Sequence, residues 1–202
     1  MAGRQLELSR VFSGIEQAVE LGFSPIKINT VLQRGVNDKE ILKLADFAKN
    51  NGHIVRFIEY MDVGNLNGWR MDDVVTAQEI IDIISSKWAV EPIVKNYTSE
   101  VANRYKYLDG SGEFGIIASV TQPFCGDCTR ARLSADGKIY TCLFANGGLD
   151  LIASIRSGAT DKELLKMLQS LWRARIDRYS EERLSFTETQ SERKVEMYQI
   201  GG

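Results

Sequence analysis

No cysteine precedes Cys125 in this chain, and its only histidine is His53. We predict that His53 lies in a loop between a helix and a strand, where a lone histidine is usually solvated and is a poor candidate for a metal ligand. The three cysteines are an odd number and nothing marks the protein for secretion. Both facts disfavour a disulfide. Three cysteines with the spacing of a cluster motif are typical of the reducing cytoplasm.

Long apolar runs and a strong charge of either sign are also missing. No run approaches the ~20 residues that a membrane helix needs, and the first residues show no signal-peptide pattern. The net charge of −2 gives no global electrostatic reason for binding nucleic acid or a membrane surface, so local basic residues must bind any anion. We therefore expect a cytoplasmic protein with neither nucleic acid nor a membrane among its partners.

What is present is the composition of a folded protein, with 44% hydrophobic and 26% charged residues in a chain long enough for one or two domains. Hydrophobic periodicity predicts helices over 10–21 and 38–50, capped by Ser9 and Asn37, and strands over 26–33 and 54–61. This strand–helix–strand order implies a right-handed parallel crossover. Two parallel strands alone make an incomplete barrel that needs neighbours.

The rest of the chain predicts a mixture of short strands and helices. The expected elements are a helix over 77–87 capped by Thr76, strands over 89–94, 103–108 and 113–120, and helices over 149–156 and 161–176, the last opened by a Thr160–Glu163 capping box. In that last helix, Leu164, Leu165, Leu168 and Leu171 are expected to form a core stripe. The charged segment 177–194 is expected to be extended or mobile.

All three cysteines lie in one stretch, FCGDCTRARLSADGKIYTCLF, with the spacing C-x2-C-x13-C. A Cys-x-x-Cys turn brings two thiolates close enough for one metal centre. Asp136-Gly137 is a hairpin signal that folds 138–143 back along 130–134 and returns Cys142 towards that turn. Arg130 and Arg132 lie on the strand leading away from the cysteines, where they are placed to neutralise an anion.

Three thiolates leave the type of metal centre open at this point. A structural zinc site takes four ligands, and an iron–sulfur cluster normally takes four cysteines. A cluster with three protein ligands keeps one iron open for a substrate. We favour metal or cluster binding over a buried pair of thiols with one to spare.

A second group of polar residues lies on the two predicted parallel strands. Lys27, Asn29 and Arg56 are beside a Gly/Asn-rich loop over 62–69, at the carboxyl end of a strand, where barrels usually bind ligands. From the residues alone, a position at the solvated rim of the core explains Lys27 equally well, since a lysine stem can cover apolar surface while its charge stays in water. Alternation places Arg56 and Met61 on opposite faces unless a bulge or the strand's end intervenes.

The cysteine stretch resembles the carboxy-terminal cluster motif of the molybdenum cofactor biosynthesis protein A family, the GTP 3′,8-cyclases of the radical SAM superfamily. Other segments sit where that family has similar ones: Ile26-Lys27-Ile28-Asn29, Arg56-Phe57-Ile58-Glu59-Tyr60-Met61, Asn67-Gly68-Trp69, Phe114-Gly115-Ile116-Ile117 and Gly201-Gly202. The resemblance covers essentially the whole chain. Its one large departure is that the family's amino-terminal half, with a Cys-x3-Cys-x2-Cys motif, has no counterpart here.

The resemblance implies an α/β fold in two parts. Residues 1–70 would form a partial radical SAM TIM-type barrel, made of its last βα units. Residues 71–202 would form an α+β domain with a GTP site and a three-cysteine [4Fe-4S] hairpin. Cys125, Cys128 and Cys142 would hold that cluster, and a second [4Fe-4S] cluster in the missing half would cleave S-adenosylmethionine reductively.

The resemblance also implies roles for individual residues in converting GTP to (8S)-3′,8-cyclo-7,8-dihydroguanosine 5′-triphosphate, a lyase reaction of molybdenum cofactor biosynthesis. The implied GTP and cofactor contacts are Lys27, Asn29, Arg56, Arg130 and Arg132, with Met61 at S-adenosylmethionine. The implied catalytic residues are Arg130, Arg132, Gly201 and Gly202, the glycines forming a tail that reaches into the active site.

Partners implied in this way are GTP, S-adenosylmethionine and the missing amino-terminal half, and a homodimer stays open. Because the cysteines that would bind the S-adenosylmethionine cluster are absent, we expect the chain alone to be inactive. Two alternatives remain: a non-catalytic fragment that binds an iron–sulfur cluster and GTP, and a structural zinc-binding module.

Overall fold

The computed structural model describes residues 7–64, 68–186 and 194–200 and shows an α/β fold, which confirms the predicted class. The α-helices of these ranges are α1 (Leu8–Glu20), α2 (Ile41–Asn50), α3 (Ala77–Ser85), α4 (Leu151–Arg156), α5 (Asp161–Arg173) and α6 (Tyr179–Phe186). The strands are β1 (Lys27–Leu32), β2 (Ile54–Glu59), β3 (Val90–Ile93), β4 (Asn103–Tyr107), β5 (Glu113–Ile117), β6 (Arg132–Leu133), β7 (Lys138–Tyr140) and β8 (Leu149–Asp150). None of the helices in these ranges has both the length and the apolar character needed to cross a membrane.

The chain divides into two units. The first comprises Met1–Tyr60 and Asp72–Thr121, and the second comprises Met61–Met71 and Gln122–Gly202. The sequence predicts a single boundary near residue 70 instead. The two divisions differ because β5 pairs with β2, so the chain returns after residue 71 to complete the sheet of the first unit.

The first unit is built on a five-stranded mixed sheet with the order β1-β2-β5-β4-β3. β1, β2 and β5 run parallel, and β3 and β4 are antiparallel to their neighbours. The parallel pairing of β1 with β2 and the β4–β5 hairpin agree with the strands predicted from the sequence. The pairing of β5 with β2 was not predicted, because periodicity carries no information about distant partners.

One face of this sheet packs against α2 and α3 and forms the core of the unit. Along β2, Val55, Phe57 and Glu59 are buried, whereas Arg56 and Ile58 are only partly so. The fully buried apolar side chains of this core include Leu32, Ile41, Ala45, Ile80, Ile84, Phe114 and Ile116. Because side chains alternate along a strand, Lys27, Asn29 and Arg56 lie on the other face, whereas Glu59 lies on the buried face.

The predicted cap at Thr76 and the predicted capping box at Thr160–Glu163 are confirmed, and Thr76 also belongs to a capping box. The Glu79 amide donates to the Thr76 hydroxyl at 3.3 Å, and the Glu79 carboxylate accepts from the Thr76 amide at 2.8 Å. Thr160 and Glu163 make the same reciprocal pair, at 3.4 and 2.8 Å. Each pair satisfies two amides that would otherwise have no partner in the first helical turn.

Two other predicted caps are wrong. α1 begins at Leu8, one residue before Ser9, and its N-cap position makes no side-chain bond. Asn37 instead closes the turn after β1, since its side chain accepts from the Gln33 amide at 2.9 Å and donates to the Val31 carbonyl at 2.8 Å. Short polar side chains make such local backbone bonds wherever a turn offers them.

The predicted environment of His53 is also wrong, because the residue is buried. Only 8% of it is exposed, and its ring packs against that of Phe47 with the centroids 6.1 Å apart. Phe47 lies on α2 and His53 immediately precedes β2. The imidazole therefore contributes to the packing of this helix on its strand.

The second unit contains the antiparallel sheet β6-β7-β8 together with α4, α5 and α6. β6 and β7 are joined by the predicted Asp136-Gly137 turn, where the Ser134 amide donates to the Lys138 carbonyl at 2.9 Å. Gly137 has a φ of +78°, and a Cβ there would lie 2.6 Å from the Cβ of Ile152, so only glycine fits. The ladder is shorter than expected, since it pairs only Arg132 and Leu133 of β6 with β7.

Two predictions about the helices of this unit are wrong. No residue of α5 is buried, and Leu165 is 55% exposed, so the leucines form a half-exposed face rather than a core stripe. The segment 177–194 is expected to be extended or mobile, but in its described part Tyr179–Phe186 form α6, whose Arg183 is 2% exposed. Charged residues are rarely buried unless paired, and periodicity does not reveal a partner elsewhere in the chain.

Candidate metal centre and anion site

The face of β1 and β2 that points away from α2 and α3 carries three polar side chains. Asn29 lies opposite Arg56 in the parallel ladder, and the Arg56 Nε donates to the Asn29 Oδ1 at 2.8 Å. Lys27 is exposed two residues earlier on β1 and so points the same way as Asn29. The first unit thus brings Lys27, Asn29 and Arg56 to one face of its sheet.

Gly115 gives Arg56 room to lie along this face. The two residues are opposite each other in the β2–β5 ladder. A Cβ on Gly115 would lie 3.2 Å from the Arg56 Cγ and 3.2 Å from the Ala102 Cβ. Such tight contacts would force the arginine stem aside, so the absence of a side chain here positions a guanidinium.

Glu59 fixes the end of β2, three residues beyond Arg56. Its carboxylate is 0% exposed and accepts bonds of 2.8 Å from the amides of Ala77, Val120 and Thr121, as well as one from the Thr121 hydroxyl. A buried carboxylate is tolerated where its oxygens are bonded in this way. β2 ends at this anchor, so the segment that begins with Met61 follows the strand and belongs to the second unit.

The Cys-x-x-Cys motif forms a single 3₁₀ turn, Cys125–Asp127, with Cys128 at its end. The Cys128 amide donates to the Cys125 carbonyl at 3.2 Å and closes the turn. Both thiols are free and half-buried, and both line a cavity of about 440 Å³. The other residues that line this cavity are Gly126, Arg175, Ile176, Asp177 and Arg178.

Cys142 follows the end of β7 by two residues and is also free and half-buried. The Phe144 amide donates to its Sγ at 3.4 Å. Burial, opposed by that bond and reinforced by the negative charges of Asp177, Cys125 and Cys128, raises the pKa of the Cys142 thiol. The three sulfurs therefore affect one another electrostatically.

Cys128 lies among positive charges. The Arg130 Nη2 donates to its Sγ at 3.4 Å, and Arg175 donates to its carbonyl. Burial on its own would raise the pKa of the Cys128 thiol, but the hydrogen bonds from Arg130 and Arg175 outweigh it and the pKa is lowered. Donors of this kind stabilise the thiolate form, which is the form that binds a metal.

Arg130 and Arg132 concentrate positive charge beside the cysteines. Arg130 is exposed and its guanidinium lies 5.0 Å from the centroid of the Phe124 ring, whereas Arg132 is half-buried on β6. Burial, and then the positive charge of Arg130, lowers the pKa of Arg132. Two cations that destabilise each other in this way form a place where an anion gains free energy on binding.

Three cysteine thiols are suitable ligands for a soft metal or an iron–sulfur cluster, but their side chains do not converge on one point in this structure. Within residues 7–64, 68–186 and 194–200, no three His, Cys, Asp or Glu side chains lie close enough together to hold a metal ion. The chemistry nevertheless fits, because three half-buried thiols have hydrogen-bond donors at two of their sulfurs. Binding would require the three side chains to turn towards a common point.

Comparison of the chain with known protein families identifies a match. The family model described as Molybdenum Cofactor Synthesis C matches residues 53–181 of the chain. The chain belongs to this family.

Curated relatives of this family member carry the name GTP 3′,8-cyclase. The protein of Acidothermus cellulolyticus is 50% identical over 225 residues, which cover 100% of this chain and 62% of the relative. That of Xanthomonas campestris pv. campestris is 48% identical over 203 residues, covering 100% and 58%, and that of Staphylococcus haemolyticus is 45% identical over 201 residues, covering 98% and 59%. The chain thus spans between 58% and 62% of the length of these relatives.

The site residues singled out in the sequence fall into both units of this Molybdenum Cofactor Synthesis C chain. Lys27, Asn29 and Arg56 share a face in the first unit. The three cysteines, Arg130 and Arg132 belong to the second unit. Gly201 and Gly202, like Asn67, lie outside the described residues.

Two further residues of this family member lie at the cysteines and were not predicted from the sequence, Arg175 and Asp177. The Arg175 guanidinium donates to the carbonyls of Cys128 and Thr141, and its Nε is 3.0 Å from the Asp177 Oδ2. No sequence signal marks either residue. Both follow a helix in a charged run, which is usually a solvated surface.

A buried charge network in the same unit was also missed. The Asp62 carboxylate accepts from the Arg183 Nε at 2.7 Å, from the Lys194 Nζ at 2.8 Å and from the Tyr179 hydroxyl. Phe144, two residues after Cys142, stacks on the Tyr179 ring with the centroids 4.3 Å apart. The network therefore joins the segment after Cys142 to the segment 61–71, across more than 80 residues of chain.

Proposed function

We propose that this chain is the carboxy-terminal part of a cytoplasmic GTP 3′,8-cyclase, a lyase that converts GTP to (8S)-3′,8-cyclo-7,8-dihydroguanosine 5′-triphosphate in molybdenum cofactor biosynthesis. The observation that carries the proposal is the set of three half-buried free cysteines with hydrogen-bond donors at two of their sulfurs. The family match and the relatives named GTP 3′,8-cyclase support it. Within that enzyme, this part would bind GTP and one of two [4Fe-4S] clusters.

Cys125, Cys128 and Cys142 are the residues that would hold the cluster. Since three thiolates leave one iron without a protein ligand, a bound cluster would supply a Lewis-acidic iron for the substrate. The protein keeps the thiols half-buried and stabilises negative charge at two sulfurs through Arg130 and the Phe144 amide. Half-burial limits access of water and oxidants to the sulfurs while leaving a side open to a ligand.

Arg130 and Arg132 would bind the negative groups of GTP. Their mutual repulsion is relieved when an anion lies between them, and planar guanidinium groups bond phosphate oxygens in pairs. The resemblance of the motifs assigns Lys27, Asn29 and Arg56, on one face of the first unit's sheet, to contacts with GTP as well. Arg56 is held for this by its bond to Asn29 and by the space at Gly115.

The remaining assignments rest on the resemblance of the motifs. Met61 would contact S-adenosylmethionine, and Gly201 and Gly202 would enter the active site, where backbone without a side chain can approach a ligand closely. The domain assignment is kept as part of the same proposal. Residues 1–70 would belong to a partial barrel, and residues 71–202 would form the cluster and GTP domain.

The surface of the first unit supports the proposal that an amino-terminal half is needed for turnover. On α1, Leu8, Val11, Phe12 and Val19 are between 41% and 68% exposed, which is unusual for a run of apolar residues on one amphipathic helix. β1 is an edge strand of a parallel arrangement, and such sheets are normally covered. The half that binds S-adenosylmethionine and the other cluster would pack here, so the chain alone would bind but not turn over GTP.

Two other functions account for part of these observations. A non-catalytic fragment would hold a cluster and GTP without a reaction partner. A structural zinc module would use the thiols with a fourth ligand. His53 does not favour zinc, because it is buried in the packing of the first unit.

Anaerobic loading with iron and sulfide tests the function. We expect about one [4Fe-4S] cluster per chain, since one set of three cysteines is present. Iron and acid-labile sulfide are measured together with zinc, and Cys142→Ser serves as the variant that should lose the cluster. Stoichiometric zinc without sulfide would overturn the cluster assignment in favour of the zinc module. Adding an amino-terminal half and finding no cyclised product would favour the non-catalytic fragment.

Arg130→Ala and Arg132→Ala should each weaken the binding of GTP to the cluster-loaded chain by roughly 1–3 kcal/mol, the contribution of a charge-assisted hydrogen bond. Isothermal titration measures the effect. Arg156→Ala is the matched control, because Arg156 is exposed at the end of α4 in the same unit. Unchanged affinity in both variants, with full iron content, would mean that neither arginine binds the nucleotide.

A further inference from the structure

The β6–β7 hairpin is held by a two-pair ladder, and the cysteines lie beyond its open end. The last ladder pair is Arg132 with Tyr140. Cys128 precedes β6 and Cys142 follows β7, so neither is fixed by strand pairing. A separate contact must therefore set the spacing between the two arms at the position of the sulfurs.

Arg175 makes that contact. Its Nη1 donates to the Cys128 carbonyl at 2.5 Å, and its Nη2 donates to the Thr141 carbonyl at 2.8 Å. Thr141 is the residue directly before Cys142, so a single guanidinium spans the two cysteine-bearing arms. The remaining nitrogen of the guanidinium is bonded as well, because the Arg175 Nε donates to the Asp177 Oδ2 at 3.0 Å.

The burial of these groups indicates that the contact is persistent. The side chain of Arg175 is 11% exposed and that of Asp177 is 26% exposed. The Arg175 guanidinium also lies 5.0 Å from the centroid of the Trp172 ring on α5. A guanidinium held by two carbonyls, a carboxylate and an aromatic face has little freedom to leave.

We propose that Arg175 is the positioning residue of the three-cysteine site: its guanidinium joins the Cys128 turn to the Thr141–Cys142 arm and sets the spacing of their sulfurs. Its positioning role rests on its bonds to the two backbone carbonyls. It also interacts with the Cys128 thiol, as Arg130 does. Asp177 orients the guanidinium. The proposal deepens the cluster site proposed above and rests on it for its biological purpose.

Lysine cannot replace arginine in this role. An ammonium group is a point charge, whereas the planar guanidinium offers parallel donors at a fixed separation to two carbonyls. Arg175→Lys therefore keeps the positive charge beside Cys128 but removes the bridge. This separates positioning from a purely electrostatic effect on the thiols.

The test measures the spacing of the sulfurs in the full chain without any metal. On a Cys125→Ser background, the remaining thiols are Cys128 and Cys142, and dibromobimane becomes fluorescent only when it bridges both. Dilute protein prevents bridges between chains. The rate of single alkylation by monobromobimane is measured in parallel, so that a change in thiol reactivity is divided out.

We expect Arg175→Lys to lower the normalised rate of bridging by roughly tenfold, because holding two reacting groups together is what raises their effective concentration. The matched control is Arg173→Lys, an exposed arginine at the end of α5, which should bridge like the parent. Equal bridging in Arg175→Lys and Arg173→Lys would overturn the proposal. Far-UV circular dichroism checks that each variant is folded.

If Arg175→Lys does not fold, Asp177→Asn decides the question, because it leaves the guanidinium in place and weakens only its third bond. Slower bridging in folded Asp177→Asn supports positioning, and unchanged bridging overturns it. The assay uses no iron, so it is independent of the cluster proposal. A wild-type chain that takes up no iron and sulfide sinks the cluster site, while the bridging rates still decide the role of Arg175. Where the cluster does form, Arg175→Lys should also release iron to a chelator several-fold faster than Arg173→Lys.

Discussion

Asp62→Asn should lower the free energy of unfolding by about 3–5 kcal/mol, the usual cost of removing one partner from a buried ion pair. The Asp62 side chain is 10% exposed, and that of Arg183, its closest cationic partner, is 2% exposed. Asparagine keeps the shape but loses the charge, which leaves the Arg183 and Lys194 cations together in a poorly solvated place. Urea denaturation of the full chain measures the loss.

Asp72→Asn is the control for this substitution. Asp72 is exposed, and it accepts a hydrogen bond from the Arg34 Nε through its backbone carbonyl rather than its carboxylate. Its replacement should change stability by no more than about 0.5 kcal/mol, as at most surface positions. Equal stabilities of Asp62→Asn and Asp72→Asn would mean that the network contributes no more than a surface charge.

The difference in stability between wild type and Asp62→Asn should depend on pH. Burial acts to raise the pKa of Asp62, but hydrogen bonds from Lys194 and Tyr179 and the charge of Arg183 outweigh it, and the pKa is lowered. A carboxyl with a lowered pKa stabilises the fold above its unfolded value of about 3.9, and this stabilisation is lost as pH falls through the lower folded value. The difference in stability between wild type and Asp62→Asn should therefore be full near pH 7 and shrink below about pH 4.

The sequence predicted most reliably those features whose interacting residues lie close together in the chain. Thr76 and Thr160 were identified as caps because the donor and acceptor are three residues apart. The Asp136-Gly137 turn was identified because its glycine requirement is local too. Asn37 shows the limit of the same reasoning, since a short polar side chain before a helix has several nearby backbone groups to choose from.

Features that depend on distant partners were not predictable. Nothing around Arg183 indicates that it is buried, because its carboxylate, Asp62, lies over 100 residues earlier. In the sequence, Arg175 looks like an ordinary charged residue at the end of the helix predicted over 161–176, because its partners, the carbonyls of Cys128 and Thr141, lie far away in the chain. The cysteine spacing was informative for the opposite reason, since a turn and a hairpin keep all the relevant residues within one stretch.

Glu59→Gln should lower the free energy of unfolding by about 2–4 kcal/mol, because a glutamine keeps one acceptor oxygen but places an NH₂ group opposite amides that also donate. Both carboxylate oxygens of Glu59 are used. One accepts from the Ala77 amide, and the other accepts from the amides of Val120 and Thr121. The residue is 0% exposed, so water cannot take the place of the lost bonds.

Glu91→Gln is the matched control on the same sheet, since it also replaces a carboxylate that bonds a partner. Glu91 pairs with the Lys106 Nζ at 2.7 Å, but both side chains are 49% exposed. An exposed pair of this kind contributes about 0–1 kcal/mol, so the control should be nearly neutral. Unfolding in urea compares the two variants directly.

Hydrogen exchange locates the effect of Glu59→Gln on the fold. Ala77 begins α3, and Val120 and Thr121 follow β5, so Glu59 joins three chain segments at the end of β2. The amides of Val120 and Thr121 should exchange faster in the variant than expected from its global stability alone. Because Arg56 lies three residues before this anchor, loosening it should also increase exchange along the end of β2. Uniformly faster exchange, with no excess at these amides, would show that Glu59 stabilises the unit as a whole and does not fix the strand end that presents Arg56.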